Sequence, residues 1–543
     1  MTSTQGKPQR SITPLALMFT CLGSIIGSGW LFGAYNTAKI AGPAAVLAWV
    51  IGMIMMLVIA LTYTELGAMY PESGGMGRYA QYSHGPFAGL LASWSNWLSM
   101  LAIPPIEAVA SVQYMAGWSF PWARGLVEQG TLTASGLLAA TVLMVLYLLL
   151  NFWTVALFAK SNTAITLFKL VVPLLTAVCL LALGFHGSNF NDAAAGGFAP
   201  YGWAAIFTGV ATSGIVFSFN GFQSPINLAG EAQRPGRSVP LAVIGGILLS
   251  GVIYILLQLA FIGAVEPGSL GAGGWAGLKF ESPFAELAVA LGLNWLALTL
   301  YADAVISPSG TGITYAATSA RALEALTRSG YLPAWLGRLH PTLGVPRNAL
   351  LLNLAISLLA LYLFPNWEAL AAVVSVTCVV GFLTGPVSVV SLRRTAPDVR
   401  RPLTLPGLGV LAPVAFVFAS LLVYWSRWPL NGQIMLLVLL GLPIYLVVQA
   451  QRGWQDTAVH LRSGLWLPVY LLVMTLISAL GSREFGGRGL LPYGVDFVIV
   501  GVVALVFYAW GIRSGDPDAA HHGLTEHSAD PDAVPELQGR TEV

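Results

Sequence analysis

Long apolar stretches separated by short polar ones repeat along most of this chain. A helix that crosses a membrane needs about 20 apolar residues, and fourteen stretches approach or exceed that length. They lie near residues 12–37, 44–70, 86–117, 134–155, 160–184, 203–231, 239–265, 291–326, 347–364, 367–391, 407–426, 431–450, 464–481 and 494–512. The pattern predicts an all-α polytopic membrane protein with about 14 transmembrane helices.

The composition agrees with this prediction. Hydrophobic residues make up 56% of the 543 positions and charged residues 9%, which is typical of integral membrane proteins. The net charge of +2 is too small to indicate a nucleic acid partner. Three isolated cysteines, with no Cys/His spacing, catalytic triad or phosphate loop, give no indication of a disulfide framework, a metal, a cofactor or an enzyme.

The distribution of charge predicts the orientation in the membrane. An even number of spans puts both chain termini on one side, and placing them in the cytoplasm leaves most of the 25 basic residues there as well. The positive-inside rule favours that arrangement. After Arg513 the sequence loses its large apolar residues, which predicts a disordered cytoplasmic tail. We therefore expect a multi-pass protein of the cell membrane.

Two spans contain residues that weaken a helix. The first contains "CLGSIIGSGW" (Cys21–Trp30), with three glycines and two serines in ten residues. The sixth, five spans later, contains "VFSFNGFQSP" (Val216–Pro225). Glycine inside a helix costs about 1 kcal/mol relative to alanine, and freed backbone groups find no water in the bilayer. The matching positions of the two interruptions indicate an inverted repeat.

Broken helices of this kind form substrate sites near the middle of the bilayer. Their N-termini offer N–H groups to an anion, and their exposed carbonyls accept from a cation. Since an α-amino acid carries both charges, we expect its carboxylate to meet the N–H groups of Gly27, Ser28 and Gly29. Carbonyls around Ile25 and Phe217 would receive the ammonium. The alternative is that the glycines only permit close helix packing.

Several motifs resemble the amino acid–polyamine–organocation permeases over residues 12–450. They are "GSIIGSGWLF", "AGPAAVLAWVIG", "YTELGAMYPESGGMGRYAQYSHGPFAGLLASW", "GEAQRPGRSVPLAV" and "TSARALEALTRSGYLPAWLGRLHPTLGVPRNAL". The resemblance implies a five-plus-five inverted-repeat fold with helices 1 and 6 broken. It divides the chain into a cytoplasmic N-terminus, a transport core of helices 1–10, accessory helices 11–14 and the disordered tail, at residues 1–11, 12–391, 392–513 and 514–543.

Within this family, "GSGWLF", "FKLVVP", "LGLNWLA" and "DAVISPSGTG" are most similar to the aspartate:proton symporter type. The likeness implies uptake of aspartate or another acidic amino acid with a proton. That type has an arginine just before a Gln-Tyr pair in the third helix, whereas this chain has Val112. Alternatives are therefore a neutral or broad-specificity permease, a proton-independent exchanger and, from another class, a nutrient sensor.

Lys169 lies about ten residues into the fifth span, which places it roughly 15 Å deep. A charge there costs about 3 kcal/mol on insertion scales, so the lysine is paired, neutral or functional. The resemblance implies that Lys169 carries the coupling proton, while the alternative is a lysine that only bonds the carbonyls of the first helix. Asp303 in the eighth span is a rival carrier, and the hydroxyls of Ser309 and Thr311 complete this predicted site.

Other residues are candidates for substrate contact. Val216 and Phe217 lie at the second interruption, and Phe217 resembles the aromatic gate of the family. The side-chain amides of Asn220, Gln223 and Asn227 need partners inside a membrane. Glu107, after two prolines in the third span, either packs in a protonated form or contacts substrate. Glu65 and Glu231 form a possible inner gate with Arg78 or Arg234, or play a plain surface role.

Overall fold

The computed structural model describes residues 12–71, 75–153, 155–191, 196–270 and 273–520, with side chains except at 75 and 153–164. These residues form 22 α-helices and one short hairpin of β1 (Val127–Glu128) and β2 (Thr131–Leu132). The helices are α1 (Pro14–Ile25), α2 (Gly29–Ala41), α3 (Ala45–Met69), α4 (Gly75–Leu101), α5 (Ile103–Met115), α6 (Ala134–Trp153), α7 (Val155–Leu183), α8 (Gly202–Thr212), α9 (Ile215–Phe219), α10 (Gln223–Asn227), α11 (Pro235–Ala264), α12 (Pro283–Ala290), α13 (Asn294–Arg328), α14 (Arg347–Leu363), α15 (Trp367–Phe382), α16 (Thr384–Thr395), α17 (Leu408–Trp425), α18 (Leu430–Leu439), α19 (Gly441–Gln451), α20 (Thr457–Gly464), α21 (Trp466–Leu480) and α22 (Val495–Arg513).

The all-α architecture expected from the hydrophobic pattern is confirmed, and each expected span coincides with a helix or with a bent run of helices. In the described part of the chain, eight helices are long and apolar enough to cross a membrane, or up to ten if each bent pair is one span. Shorter apolar helices such as α1 and α14 account for part of the difference from fourteen. The exact number of spans stays a prediction.

Both expected interruptions are present, but the second differs from its expected form. The first lies between α1 and α2, where Ile26 has an extended backbone. In the second, residues expected to be unwound form the short helix α9, and the chain breaks on either side of it. One break is at Gly214, whose φ is +96°, and the other runs from Asn220 to Phe222. The break at Gly214 turns the run Ile215–Asn227 away from α8 by 43°.

The two interrupted spans cross with their backbones in contact. A Cβ on Gly221, whose φ is +130°, would lie 2.6 Å from the carbonyl carbon and oxygen of Ser24. Beside this contact, the Ser224 hydroxyl donates to the Ser24 hydroxyl at 2.7 Å. Only glycine combines this positive φ with so close an approach. The crossing therefore holds the two interruptions against each other.

The chain beyond α22 is ordered for longer than expected. The disordered tail was expected from residue 514, yet residues 514–520 pack on the body of the protein, so that expectation is wrong for them. The Asp516 N–H donates to the Ser83 carbonyl at 2.9 Å, and Ser514 Oγ donates to the Ser463 carbonyl at 3.0 Å. Gly85 kinks α4 with a φ of +76°, which explains why Ser83 takes a partner from outside its helix. Residues 521–543 and the expected N-terminal segment 1–11 lie outside the described residues.

Glu65 has a different partner from those expected. Its buried carboxylate receives two hydrogen bonds from Arg393, from Nε at 2.8 Å and from Nη2 at 2.6 Å. The Leu405 N–H donates to the same carboxylate at 2.9 Å. The pairing with Arg78 or Arg234 is wrong for Glu65. This forked ion pair joins α3 to α16 and to the segment that follows α16.

We expect Arg393→Met to destabilise the protein by about 2 kcal/mol or more, because Glu65 is 1% exposed and would keep a buried charge. Arg393 itself is 32% exposed, which makes the loss smaller than for a fully buried pair. Arg394→Met is the matched control, since Arg394 bonds a carbonyl at an exposed position. Thermal unfolding of the purified proteins in detergent measures both variants. Equal melting temperatures for the two would contradict the prediction.

Candidate functional site

A small cavity lies where the two interrupted spans cross. It is bounded by α1 and the interruption after it, by α5, by α9 and the break after it, and by α13. The lining residues are Ser24, Ile25, Gly27, Ile103, Glu107, Phe217, Asn220, Thr311 and Tyr315. The expected site residues Val216, Gln223 and Asn227 are not part of this lining. The cavity thus joins both interruptions to the third and eighth expected spans.

A carboxylate of the protein itself occupies the expected anion position. The Ser28 N–H donates to Glu107 Oε2 at 3.0 Å, and a Cβ on Gly27 would lie 2.6 Å from Glu107 Oε1. The Gly27 N–H donates to the Ile25 carbonyl at 3.1 Å. Two of the three N–H groups expected to bind a substrate carboxylate therefore have acceptors in the protein. Glu107 is fully buried and lines the cavity, and its contact with substrate stays a prediction.

The carbonyls expected to receive an ammonium group also have partners. The Ile25 carbonyl accepts from the Tyr254 hydroxyl at 3.3 Å as well as from Gly27. The Phe217 carbonyl accepts from the Asn220 N–H at 2.9 Å. Tyr254 also donates to the Ser218 carbonyl at 3.2 Å, so one hydroxyl from α11 serves both interrupted spans. Binding of an ammonium here stays a prediction. The Ile25 carbonyl, which already accepts two hydrogen bonds, would have to change a partner, whereas the Phe217 carbonyl can accept a second bond.

Gly29 has a packing role. A Cβ on Gly29 would collide with Ser218 Oγ and would lie 3.0 Å from Ser218 Cα. The absence of a side chain therefore lets α2 lie directly on α9. For this glycine the structure supports the alternative of close helix packing, because the neighbouring atoms belong to another helix rather than to the cavity.

Lys169 lies between the first and eighth expected spans, and its role as the proton carrier stays a prediction. It is 3% exposed. Its Nζ donates to the Gly23 carbonyl at 3.3 Å and to Thr311 Oγ1 at 2.6 Å. Ser309, the other expected hydroxyl, instead shares a hydrogen bond with the Tyr147 hydroxyl at 3.1 Å. One ammonium group thus joins α1, at its last turn before the interruption, to α13.

Asp303 lies on α13 and is fully buried. Its Oδ1 accepts from Ser307 Oγ at 2.6 Å, while its Oδ2 has no hydrogen-bond partner among the described residues. Asp303, Ser307 and Thr311 follow each other at intervals of four residues, so they share one face of the helix. The same face of α13 therefore carries both Asp303 and the Thr311 hydroxyl, which accepts from Lys169.

The cavity-lining Phe217 belongs to an aromatic cluster whose main member, Trp367, was not indicated by any sequence pattern. The Trp367 ring meets the Phe217 ring edge-on with centroids 5.8 Å apart, and it stacks on Phe32 at 5.2 Å. Its indole N–H donates to Ser28 Oγ at 2.9 Å. A tryptophan at the first residue of a span is usually read as an interface anchor, which is why this contact could not be expected.

Comparisons with known proteins identify the architecture. The pattern of the family described as amino acid permease matches residues 12–448. The chain belongs to that family. This permease is 53% identical over 509 residues to the glutamate/serine transporter AimA of Bacillus subtilis (strain 168), which covers 93% of this chain and 94% of the relative.

Two further relatives come from the same organism. The permease is 36% identical over 525 residues to an aspartate-proton symporter, with 95% of this chain and 99% of the relative covered. It is 25% identical over 462 residues to the branched-chain amino acid permease BcaP, with 83% and 96% covered. The expected membership of the amino acid–polyamine–organocation superfamily is confirmed. The permease is a multi-pass amino acid transporter and not an enzyme.

We expect Gly29→Val to reduce amino acid uptake at least ten-fold by pushing α2 away from α9. Ser218→Gly in the same chain should restore part of the uptake, because it removes the two nearest atoms, Oγ and Cβ. Gly27→Ala is the matched control, since its new Cβ meets Glu107 and Thr311, so Ser218→Gly should not rescue it. Uptake of a labelled amino acid mixture into proteoliposomes is measured for the two glycine variants, each with and without Ser218→Gly. Equal rescue of both glycine variants would contradict the packing role of Gly29.

Proposed function

We propose that this permease takes up acidic and small polar amino acids together with a proton, across the cell membrane and with both termini in the cytoplasm. The observation that carries the proposal is the position of two buried ionisable side chains at the first interruption. Lys169 bonds the chain just before it and Glu107 bonds the chain within it. Intramembrane groups of this kind commonly form proton relays.

Lys169 can couple a proton to the movement of helices. When charged, its ammonium donates to the Gly23 carbonyl and to Thr311 Oγ1, and so holds α1 to α13. Loss of the proton removes the charge assistance from both bonds. Because Gly23 lies one turn before the interruption, α1 is then freer to tilt away from α13. In this proposal, proton release on the cytoplasmic side favours opening of the cavity to that side.

Glu107 can couple a proton to the substrate carboxylate. As a carboxylate it accepts the Ser28 N–H at 3.0 Å. Protonation weakens that hydrogen bond, since a charged acceptor binds an N–H more strongly than a neutral one. The released N–H then lies at the N-terminus of α2, a favourable place for an anion. A proton and a substrate carboxylate would therefore enter the site together.

The cavity favours a polar substrate without strict selection for a negative side chain. The described lining residues include no lysine or arginine, and Val112 is a buried aliphatic residue. One relative is named for glutamate and serine, whose side chains differ in charge but both carry oxygen. This pairing fits the lining better than exclusive selection of aspartate, the amino acid in the name of the other relative.

We expect Lys169→Ala to abolish the concentration of substrate that a pH gradient drives in proteoliposomes. Exchange of labelled for unlabelled substrate without a gradient should persist at a reduced rate, because the cavity lining is unchanged. Asp303→Asn is the control for the rival carrier and should retain at least part of the pH-driven accumulation. If Lys169→Ala still concentrates substrate while Asp303→Asn does not, Asp303 is the carrier and the assignment to Lys169 is wrong.

We expect L-glutamate, L-aspartate and L-serine to compete with one another for uptake, and L-leucine to compete at least ten-fold more weakly. The physical reason is that polar groups of the lining would be left without partners by an aliphatic side chain. Competition against labelled L-glutamate, with and without an imposed pH gradient, measures this. Saturable aspartate uptake that excess serine does not reduce would show that the site is selective for acidic side chains despite Val112.

A further inference from the structure

A chain of hydrogen bonds in the second interruption fixes the orientation of two side-chain amides. The Gly221 N–H can only donate, and it donates to Gln223 Oε1 at 2.7 Å. The other end of the Gln223 amide is then Nε2, which donates to Asn220 Oδ1. An amide carries its acceptor and its donors on opposite sides. Asn220 must therefore direct Nδ2, and not Oδ1, away from Gln223.

Asn220 Nδ2 is a buried donor at the cavity. Asn220 lines the cavity and is 4% exposed, and Gln223 behind it is 3% exposed. No acceptor for Nδ2 is found among the described residues. A buried donor without an acceptor is destabilising, so its retention beside a cavity indicates that a ligand supplies the acceptor.

We propose that Asn220, oriented by Gln223, determines specificity by donating to an oxygen on the side chain of the substrate. This inference rests on the proposed transport of amino acids. A neutral N–H donor binds a carboxylate, a carboxamide or a hydroxyl oxygen, whereas it offers nothing to an aliphatic side chain and is unfavourable for an ammonium. Asn220 thereby selects substrates whose side chains carry an oxygen acceptor, whereas an arginine would select substrates whose side chains carry a negative charge.

Gln223 is a positioning residue in this arrangement. Gln223→Glu would still accept the Gly221 N–H through one carboxylate oxygen. Its other oxygen cannot donate to Asn220 Oδ1, so the Asn220 amide is expected to turn its NH₂ group toward residue 223 and present Oδ1 to the cavity. One substitution outside the lining would then reverse the polarity that the cavity presents to the side chain.

The test uses purified full-length protein in detergent and isothermal titration calorimetry with L-glutamate and L-norvaline. Norvaline has a side chain of similar length without an oxygen, so the ratio of the two dissociation constants reports recognition of the side-chain oxygen. The wild type should bind glutamate at least ten-fold more tightly than norvaline. In Asn220→Leu the two constants should converge to within about three-fold, because a hydrogen bond to a charged acceptor accounts for about a ten-fold difference or more.

A double-mutant cycle separates the orientation of the amide from the charge of the new residue. Gln223→Glu alone should weaken glutamate binding at least ten-fold. In the Asn220→Leu background the same substitution should change it less than about three-fold, since no amide remains to be turned. If the two effects are fully additive, the charge acts directly and the positioning role of Gln223 is wrong.

The failure of this inference differs from failure of the proposed function. If the wild type binds glutamate and Asn220→Leu keeps the wild-type ratio of dissociation constants, Asn220 does not determine specificity, while transport stands. If a monodisperse wild type binds neither amino acid, and a labelled amino acid panel is not taken up by proteoliposomes, the proposed function is wrong and this inference with it.

Discussion

The contact between the backbones of the two interrupted spans is the constraint on which the rest of the site depends. At Gly221 the chain approaches the Ser24 carbonyl so closely that no side chain fits between them. A regular helix in either span would carry side chains into this space. The close approach is possible because both helices end there, and it leaves backbone groups without the intrahelical partners that a membrane interior normally demands.

Several groups at the interruptions are bonded by side chains from other helices, and this distribution makes the site sensitive to the arrangement of the whole bundle. Tyr254 of α11 bonds carbonyls of both interrupted spans, and Glu107 of α5 accepts from the first. Lys169 of α7 bonds Gly23 just before the first interruption, and Trp367 of α15 bonds the side chain of Ser28 within it. These partners lie on helices far apart in the chain, so any change in their relative positions alters the hydrogen bonding at the cavity.

The sequence predicted those features that depend on local composition and left out those that depend on distant partners. Clustered glycines indicated the first interruption and the Asn-Gly and Pro residues of Val216–Pro225 the second, and the depth of Lys169 in an apolar stretch indicated that it is paired, neutral or functional. No local pattern could show that Glu65 pairs with Arg393, or that Trp367 reaches Ser28, since each pair is separated by more than 300 residues. The short helix α9 was missed because five residues are too few to show a helical period in the sequence.

Glu107 links the anion site to the binding of a proton. An anion site made of backbone N–H groups is always present once the helix is broken, and in an apolar surrounding it cannot stay empty without cost. A carboxylate of the protein satisfies it when no substrate is bound, and the same carboxylate can yield the site only by moving or by taking a proton. In the proposed mechanism the Glu107 carboxylate, which occupies the anion site, is thus also a proton acceptor. Lys169, at the same interruption, is a second group that can carry a proton. The hydrogen bond from the Ser28 N–H to Glu107 is then given up both when Glu107 takes a proton and when a substrate carboxylate takes the N–H. This shared bond couples substrate binding to protonation.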